Sequence, residues 1–549
     1  MLDSACVEGK VRMKSRASWG APALRVLAIS ALSVFTLDRT SAQAPTSQAA
    51  PPTTTIKVTT RLVTVDVVAH DKKNQPVHGL TKDDFELLDD GKPQTVSVFS
   101  VEGQAATVPE RAPLASLPPG TFTNRPTRPS AVAGSITVIL LDGLNTSVND
   151  LAMARGQIEK LIPQLQSRDR VGLYSLESRV RIVQEITNDP SLLLQALKGV
   201  HAKLASSQLA GHAELPRAHD DTLPRLSDGT ALRIQQSGDL TFGALEAIAQ
   251  HLADVPGRKT LIWISHGLPL TFRTPNPQAI NTVGRNIPPP PTDETNFTPQ
   301  IQKTSRVLSN YGVALYPIDA RGLSALSGGA WRAQGAGLLL ADLTGGRPFY
   351  NDNDISAAIR SAIDDSKLTY VLGFYPAADR WDSKFHLIKV RVNQPGVKLL
   401  YRSGYLAAPE EQNPSPADSQ SALGKAVLSP LDCTAIGLRA QLQKAHPFDI
   451  DLRVDVNDLL LSHNNDRWDG DLEIVIAQRT AAGSMVGRSG HKHSVKLNLK
   501  EDYYAQLKAE GLQLFFPVDP DRKAVELRVV VRDSNSGALG SVSVPLRKM

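Results

Sequence analysis

Apolar and polar positions change their period twice along this 549-residue chain. Between Ile56 and Val101 they alternate, as in RLVTVDVVAHD, and FELLDDGKPQTVSVFS sets Asp90-Gly91 between two strand-like runs. Alternation of period two marks a half-buried strand, and Asp-Gly is a favoured two-residue hairpin loop, so 56–101 reads as a small antiparallel β unit. Such a unit is marginal alone and is expected to pack against another part of the chain, with the C-terminal β region as the candidate.

From residue 135 the runs lengthen. SITVILLD, KTLIWIS and VALYPID are nearly continuous apolar segments, as in strands covered on both faces. Segments with apolar residues at helical spacing lie between them: Leu151, Ala154, Ile158, Leu161 and Leu165 first, then SLLLQALKGV, LTFGALEAIAQHLADV, IQKTSRVLSNYG, GLLLADLTGG and ISAAIRSAIDDS. RVGLYSLES, RVRIVQEI and KLTYVLGFYP supply further strands. Strands separated by helices of this length specify right-handed crossovers, so the expected fold class over about 135–405 is α/β with a doubly wound, mainly parallel sheet.

Beyond residue 421 the period returns to two in FDIDLRVDV, DLEIVIAQR, HSVKLNLK, LQLFFPV, AVELRVVVRD and GSVSVPL, with EDYYAQLKAEG as a short helix. This predicts a β-sandwich-like domain over 422–549. The intervals 43–55, 102–134 and 406–421 are rich in Pro, Ala, Ser, Thr or Gln and read as linkers. Two polar insertions, 201–238 and 271–298, interrupt the α/β domain; connectors of this length are either functional or disordered.

The first residues change the picture of where the protein works. Lys10, Arg12, Lys14 and Arg16 precede an apolar run from Val26 to Leu37, and small residues at Thr40, Ser41 and Ala42 follow. That order is signal-peptide grammar, with cleavage expected near Ala42. The run is shorter than the ~20 residues a bilayer-crossing helix needs. An exported chain, periplasmic or extracellular, with no integral span after processing is therefore expected.

The net charge of +5 includes six basic and three acidic leader residues, leaving about +2 beyond Ala42. No basic stripe interleaves with aromatics, so nucleic acid is not an expected partner. Cys6 and Cys433 are the two cysteines, and loss of the leader leaves one, so no internal disulfide is expected.

LLDGLNTS, at the end of the first long apolar run, resembles the first motif of von Willebrand factor type A (VWA) domains. More narrowly, VDVVAHDKKNQPVHGLTKDDFELLDDGKPQTVSVF, LPPGTFTNRP, VILLDGLNT, ADLTGGRPFY and YVLGFYP followed by KVRVNQPGVKLLYRSGY, in this order, are similar to the VWA-related family abundant in Acidobacteria. The resemblance covers roughly 56–405. It implies a metal-ion-dependent adhesion site, built from an Asp-x-Ser-x-Ser motif, a later Thr, and an Asp after a central strand, whose oxygens would take Mg²⁺, Mn²⁺ or Ca²⁺ at the carboxyl ends of the strands.

Carried onto this sequence, the motif puts Asp142 first, Leu144 where one hydroxyl belongs and Thr146 where the second belongs. Thr241 corresponds to the later Thr, while ISHG offers Ser265 and His266 where the carboxylate belongs. Leucine ligates nothing and neutral imidazole favours Zn²⁺ over Mg²⁺, so the site is degenerate. Asp142, Thr146 and Thr241 thus stand as candidate ligands of a weakly bound divalent cation, with Asn145 and Ser265 as partial compensation. The alternative is no cofactor and a hydrogen-bonded relic that ties loops together.

Catalytic motifs are missing: there is no Gly-x-Ser-x-Gly elbow, His-Glu-x-x-His pair or phosphate-binding Gly-x-x-x-x-Gly-Lys loop. His212 and His219 read as solvated. His491 and His493 read as an exposed strand start, and Asn464, Asn465, Asp466, Asp469 and Asp471 as a polar hairpin turn. Leu338, Leu339, Leu340 and Leu343, with Tyr350, Phe374 and Tyr375, read as core. The expectation is a non-enzymatic exported protein that binds another protein or acts as a scaffold. Alternatives are a hydrolase or other enzyme with its site in the C-terminal region or the insertions, and a purely structural envelope protein.

Overall fold

In a computed structural model, described over residues 62–103, 117–125, 136–207, 228–274, 293–322, 334–377, 381–407, 416–443, 448–464, 466–487 and 490–546, the long apolar runs become one sheet. Its order is Val313–Asp319, Lys259–Ser265, Ile136–Asp142, Arg170–Leu176, Val180–Thr187. The first four strands are parallel and the last is antiparallel to its neighbour. Every residue of Ile136–Asp142, Lys259–Ser265 and Val313–Asp319 is buried.

The reason lies in the alternation of side chains across the sheet. Leu140, Leu261, Trp263 and Leu315 point to one face and meet Leu245, Ile248, Ile301, Leu308 and Leu340 from the helices Asp228–His251, Thr298–Asn310 and Gly335–Thr344. Ile139, Leu141, Ile262 and Ile264 point to the other face, against Leu151, Ala154, Ile158, Leu197 and Ile359 from Val148–Leu161, Pro190–Ser207 and Ile355–Asp365. Burying each such Leu or Ile contributes roughly 1.5–3 kcal/mol, so a strand apolar on both sides needs both helical layers. Asp319 lies opposite Ser265, and Leu141 opposite Ile264, so the ends at Asp142, Ser265 and Asp319 sit side by side and point the same way.

The sequence-predicted strand KLTYVLGFYP lies elsewhere. Thr369–Phe374 pairs with Val63–His70 and Val98–Glu102, and Phe385–Val392 pairs with Phe85–Asp89. The β unit expected over 56–101 is therefore completed by residues from 369–407, not by the C-terminal domain. Its hairpin across Asp90-Gly91 is present, with Asp89 opposite Lys92. A short buried run does not reveal which sheet will take it. Here the outer edge of Val313–Asp319 is occupied by Phe349, which bridges to Ile318.

Two expected linkers also hold structure. Thr121–Thr123, inside 102–134, pairs with Leu438–Gln443 as an edge of the C-terminal domain, and the helix Pro416–Leu428 begins inside 406–421. At the insertions, the helices Pro190–Ser207 and Asp228–His251 run into 201–238 from either side, and Thr271–Thr274 pairs with Asp293–Asn296 within 271–298.

The C-terminal domain is two antiparallel sheets around one core. Leu512–Val518, Phe448–Val454, Leu438–Gln443 and Thr121–Thr123 form the first. Arg467–Arg479, Glu526–Asp533 and Leu539–Pro545, with His491–Lys500 on the other side of Arg467–Arg479, form most of the second. Ile450, Leu452 and Phe516 meet Ile474, Leu497, Val529 and Val544 between them.

Candidate functional site

The order of the central sheet reverses between Ile136–Asp142, whose connection leads to Arg170–Leu176 on one side, and Lys259–Ser265 on the other. At such a switch point the outgoing loops diverge and open a crevice at the carboxyl ends, where open α/β sheets bind ligands. Asp142 and Ser265 stand there together.

Asp142 is fully buried and both of its oxygens are occupied. Oδ1 accepts from the backbone N–H groups of Leu144 and Asn145, each at 3.0 Å. Oδ2 accepts from Asn145 Nδ2, Trp263 Nε1 and Ser265 Oγ, each at 2.8 Å. All five donors are neutral groups. Burial pushes the Asp142 carboxyl above the usual carboxylate range, against the pull of the Asn145, Ser265 and Trp263 hydrogen bonds.

Asn145 bridges two of the candidate ligands, because its Nδ2 also donates to Thr241 Oγ1 at 2.9 Å. Thr241, buried in the helix Asp228–His251, spends its own proton on Ser237 O at 2.7 Å. Thr146 Oγ1 accepts from the backbone N–H of His266 at 3.2 Å, and Ser265 Oγ accepts from Gly267 N at 2.9 Å. The structure thus gathers Asp142 and Thr241 through Asn145, while Thr146 joins them only through the loop that carries His266.

A second network borders the first. Ser147 caps the helix Val148–Leu161, accepting from Asp150 N, and its Oγ donates to Asp150 Oδ2 at 2.6 Å. His266 Nε2 reaches the same oxygen at 2.8 Å. Burial lowers the His266 pKa, the Arg321 charge lowers it further, and Asp150 opposes them. Arg321 grips Asp319 through Nε and a terminal nitrogen, both at 2.9 Å, and reaches His266 O at 3.2 Å. Gln334 Nε2 completes Asp319 at 2.5 Å.

Tested against a hard divalent cation, these residues do not fit. Mg²⁺ asks for near-octahedral oxygen ligands at about 2.0–2.1 Å. Leu144 supplies no oxygen, the Asp142 oxygens already hold five protons in hydrogen bonds, and the Asn145 amide nitrogen stands between Asp142 and Thr241. His266, in the carboxylate's place, is turned to Asp150. Asp142 and Thr241 are instead joined through Asn145, and Thr146 accepts from His266 N.

Sequence reading missed Trp263, Asp150, Arg321 and Gln334 as parts of this region. Trp263 carried no signal, since a Trp within KTLIWIS is as well explained by core packing, and only the neighbouring strand reveals what its N–H meets. Among other candidates, His491 is exposed and His493 packs on Phe516 at 4.7 Å between ring centroids. Asp469 is held by Asn498, and Asp466 sits at φ 61° in a turn. Leu340 and Leu343 are core, whereas Leu338 and Tyr375 are exposed. His212, His219 and Asn465, like residues 1–61, lie outside the described residues.

No family model matches the sequence, and no curated protein is similar to it. Solved structures do show similarity. An aerotolerance-related membrane protein from Bacteroides fragilis is 15% identical, with 43% of this chain and 98% of that chain covered at a TM-score of 0.26. BatB from Bacteroides thetaiotaomicron is 16% identical over 43% of this chain and 98% of its own, at 0.25. The vWF domain of the type V pili tip protein Mfa5 from Porphyromonas gingivalis is 12% identical over 43% and 94%, at 0.21.

Proposed function

We propose that this chain is an exported, non-enzymatic protein that binds another protein through the carboxyl-end rim of its VWA-like domain, and that it does so without a bound metal. The observation that carries the reading is the Asp142 carboxylate held by five neutral donors from two segments of the rim, with Asn145 extending the network to Thr241 in a third. The carboxylate ties 142–147 to 263–267, and the Asn145 amide ties both to Thr241. A rim fixed before contact loses little conformational entropy when a partner docks. Partly exposed polar groups border it, the charged Asp150 and Arg321 and the imidazole of His266, and can give polar contacts to a partner.

The same geometry speaks against acyl-transfer chemistry at the rim. Ser147, Asp150 and His266 form a chain, yet Asp150 stands in the middle. In a working triad the imidazole must lie between carboxylate and hydroxyl to take the hydroxyl proton. Export rests on the leader reading of residues 1–42. Among the described residues, no helix is long and apolar enough to cross a membrane.

A second reading draws on a cavity of about 940 Å³ between the central domain and the sandwich, lined by Arg181, Glu246, Lys303, Lys425 and Arg479 among others. Among the described residues no histidine or cysteine lines the cavity, so an enzyme at this junction would draw on these groups together with Asp239, Ser178 and Ser429. Hydrolysis of a panel of ester and peptide substrates that disappears in Glu246→Gln would favour it.

The deciding experiment is crosslinking and capture from envelope extract with the intact chain, run in Mg²⁺ and in EDTA. Recovery of the same partner in both, lost in the double variant His266→Ala/Arg321→Ala, is expected. Capture that requires Mg²⁺, or that ignores the double variant, overturns the reading.

A further inference from the structure

One face of the helix Asp228–His251 turns away from the rim and forms the floor of the cavity of about 940 Å³ between the central domain and the sandwich. Asp239, Leu240, Gly243, Glu246, Ala247 and Gln250 recur at helical spacing and all line it. Thr241, which belongs to the rim, lies on the opposite side of the same helix, toward Asn145. The walls rise from Gln300 and Lys303 on the helix Thr298–Asn310, Lys425 and Leu428 on Pro416–Leu428, and Arg179 and Arg181 at the start of the strand Val180–Thr187.

The floor is open in its middle. A glycine inside a helix costs stability relative to alanine, and packing gives Gly243 no reason for it: a Cβ placed there would meet no neighbouring atom within 4 Å. Leu240, one turn before it, is 43% exposed, and Leu428 on the facing helix is 56% exposed. Apolar surface left uncovered in a concave site is a mark of ligand binding. The volume also falls within the roughly 300–1,000 Å³ of sites that take small molecules.

The charge of the lining is unbalanced. Arg479 is held by Glu526 at 2.5 Å, and Lys425 by Glu246 at 3.2 Å. Among the described residues no carboxylate pairs directly with Arg179, Arg181 or Lys303, and Arg181 Nε is buried without a hydrogen-bond partner. Asp239 is the other carboxylate of the lining, so a positive excess remains. Lys303 stands against Lys425, and that contact, followed by burial, holds its pKa below the ordinary lysine value while Glu246 opposes. Two ammonium groups thus share one carboxylate, and a second anion would complete the group.

We propose that this cavity binds a single-chain anionic amphiphile, a long-chain fatty acid, with its carboxylate at Lys303 and Lys425 and its acyl chain over Gly243 between Leu240 and Leu428. The order of groups along the floor fits such a molecule. Glu246, beside the two lysines, Gly243 and Leu240 follow one another at steps of about 4.5 Å, from the charged end to the apolar end. Arg179 and Arg181, on another wall, raise the positive potential that draws an anion in. The site faces away from the rim and does not depend on the role proposed for it.

The test uses the full chain, stripped of bound lipid and titrated by calorimetry with decanoate, dodecanoate and tetradecanoate below their micelle concentrations. Dodecyltrimethylammonium and oligoglutamate serve as the cationic amphiphile and the acidic peptide. One equivalent of dodecanoate should bind, and each added pair of methylenes should tighten binding about tenfold. Lys303→Gln should weaken it at least about tenfold, as loss of a charged hydrogen-bond donor does. Gly243→Leu should abolish it while melting no lower than the parent, since the space is free and leucine favours the helix. Absence of saturable one-to-one binding, equal affinity for dodecyltrimethylammonium, tighter binding of oligoglutamate, or parent-like binding in Gly243→Leu overturns the site. Lys303 is exposed, so unchanged affinity in its variant rejects the site even where Gly243→Leu does not fold.

Discussion

Asn145 closes both oxygens of Asp142, its Nδ2 donating to Oδ2 at 2.8 Å and its backbone N–H to Oδ1 at 3.0 Å. The amide occupies the position between Asp142 and Thr241 at which a bridging cation would be sought. Wild-type protein should therefore show no thermal shift with Mg²⁺ or Ca²⁺, although a ligand held at 100 times its Kd adds about 2.7 kcal/mol. Asn145→Asp puts a second carboxylate beside Asp142. That variant should melt lower in EDTA and regain stability with Mg²⁺ or Ca²⁺. A shift in wild type that vanishes in Asp142→Ala would sink the metal-free reading.

Removing the carboxylate tests the same cluster from the other side. In Asp142→Ala, the Trp263 N–H, the Ser265 hydroxyl and the Asn145 amide lose a buried acceptor. Each unsatisfied buried group costs about 1–3 kcal/mol, and local rearrangement will recover part, so a net loss on the order of 3 kcal/mol is expected in chemical denaturation. A loss below about 1 kcal/mol would mean that these donors readily find other partners.

Acidification should act on the rim through His266. Burial, with the Arg321 charge, holds its pKa below the ordinary value near 6.5, so the folded state takes up the proton less readily than the unfolded chain. Stability from this group is complete above about pH 6.5 and declines as pH falls below it toward the folded value. Between pH 7 and pH 5 the wild type should lose more melting temperature than His266→Gln. Parallel curves, or a steeper fall in the variant, would contradict the assignment.

Asn124 joins a segment that looked like linker to the C-terminal domain. Its Nδ2 donates to Cys433 O and Ile436 O, and its Oδ1 accepts from Leu438 N, all within 2.8 Å. Asn124→Ala should cost about 2–3 kcal/mol and expose the sandwich edge. Proteolysis that cuts the variant and the parent at the same rate within 117–125 would refute this.

What the sequence made legible follows from what its local pattern encodes. Ile136–Asp142, Lys259–Ser265 and Val313–Asp319 were readable because two-sided burial leaves an unbroken apolar run, and the Asp90-Gly91 hairpin because its turn chemistry is local. Thr369–Phe374 was readable as a strand but not as a member of the β unit, since hydrophobic period carries no record of the partner. At the rim, Asp142, Thr146 and Thr241 were found through a motif, and the missing hydroxyl at Leu144 already weakened the metal. Asn145 and Ser265 were readable as groups that compensate at the rim, but their partners were not: Trp263 reaches Asp142 across a strand boundary, and Asn145 shows its second role only when the helix bearing Thr241 is in place.

The interleaving of the β unit has a temporal side. Leu80 N donates to Tyr370 Oη, a pair separated by 290 residues, and Val63–His70 waits for Thr369–Phe374 to form its ladder. During synthesis the earliest strands therefore emerge with open edges, and such edges are hazards for mispairing. The α/β domain can close on itself before its outer partner strands are made. A nascent chain of this kind gains from any factor that shields its first strands until the segment beyond residue 368 arrives.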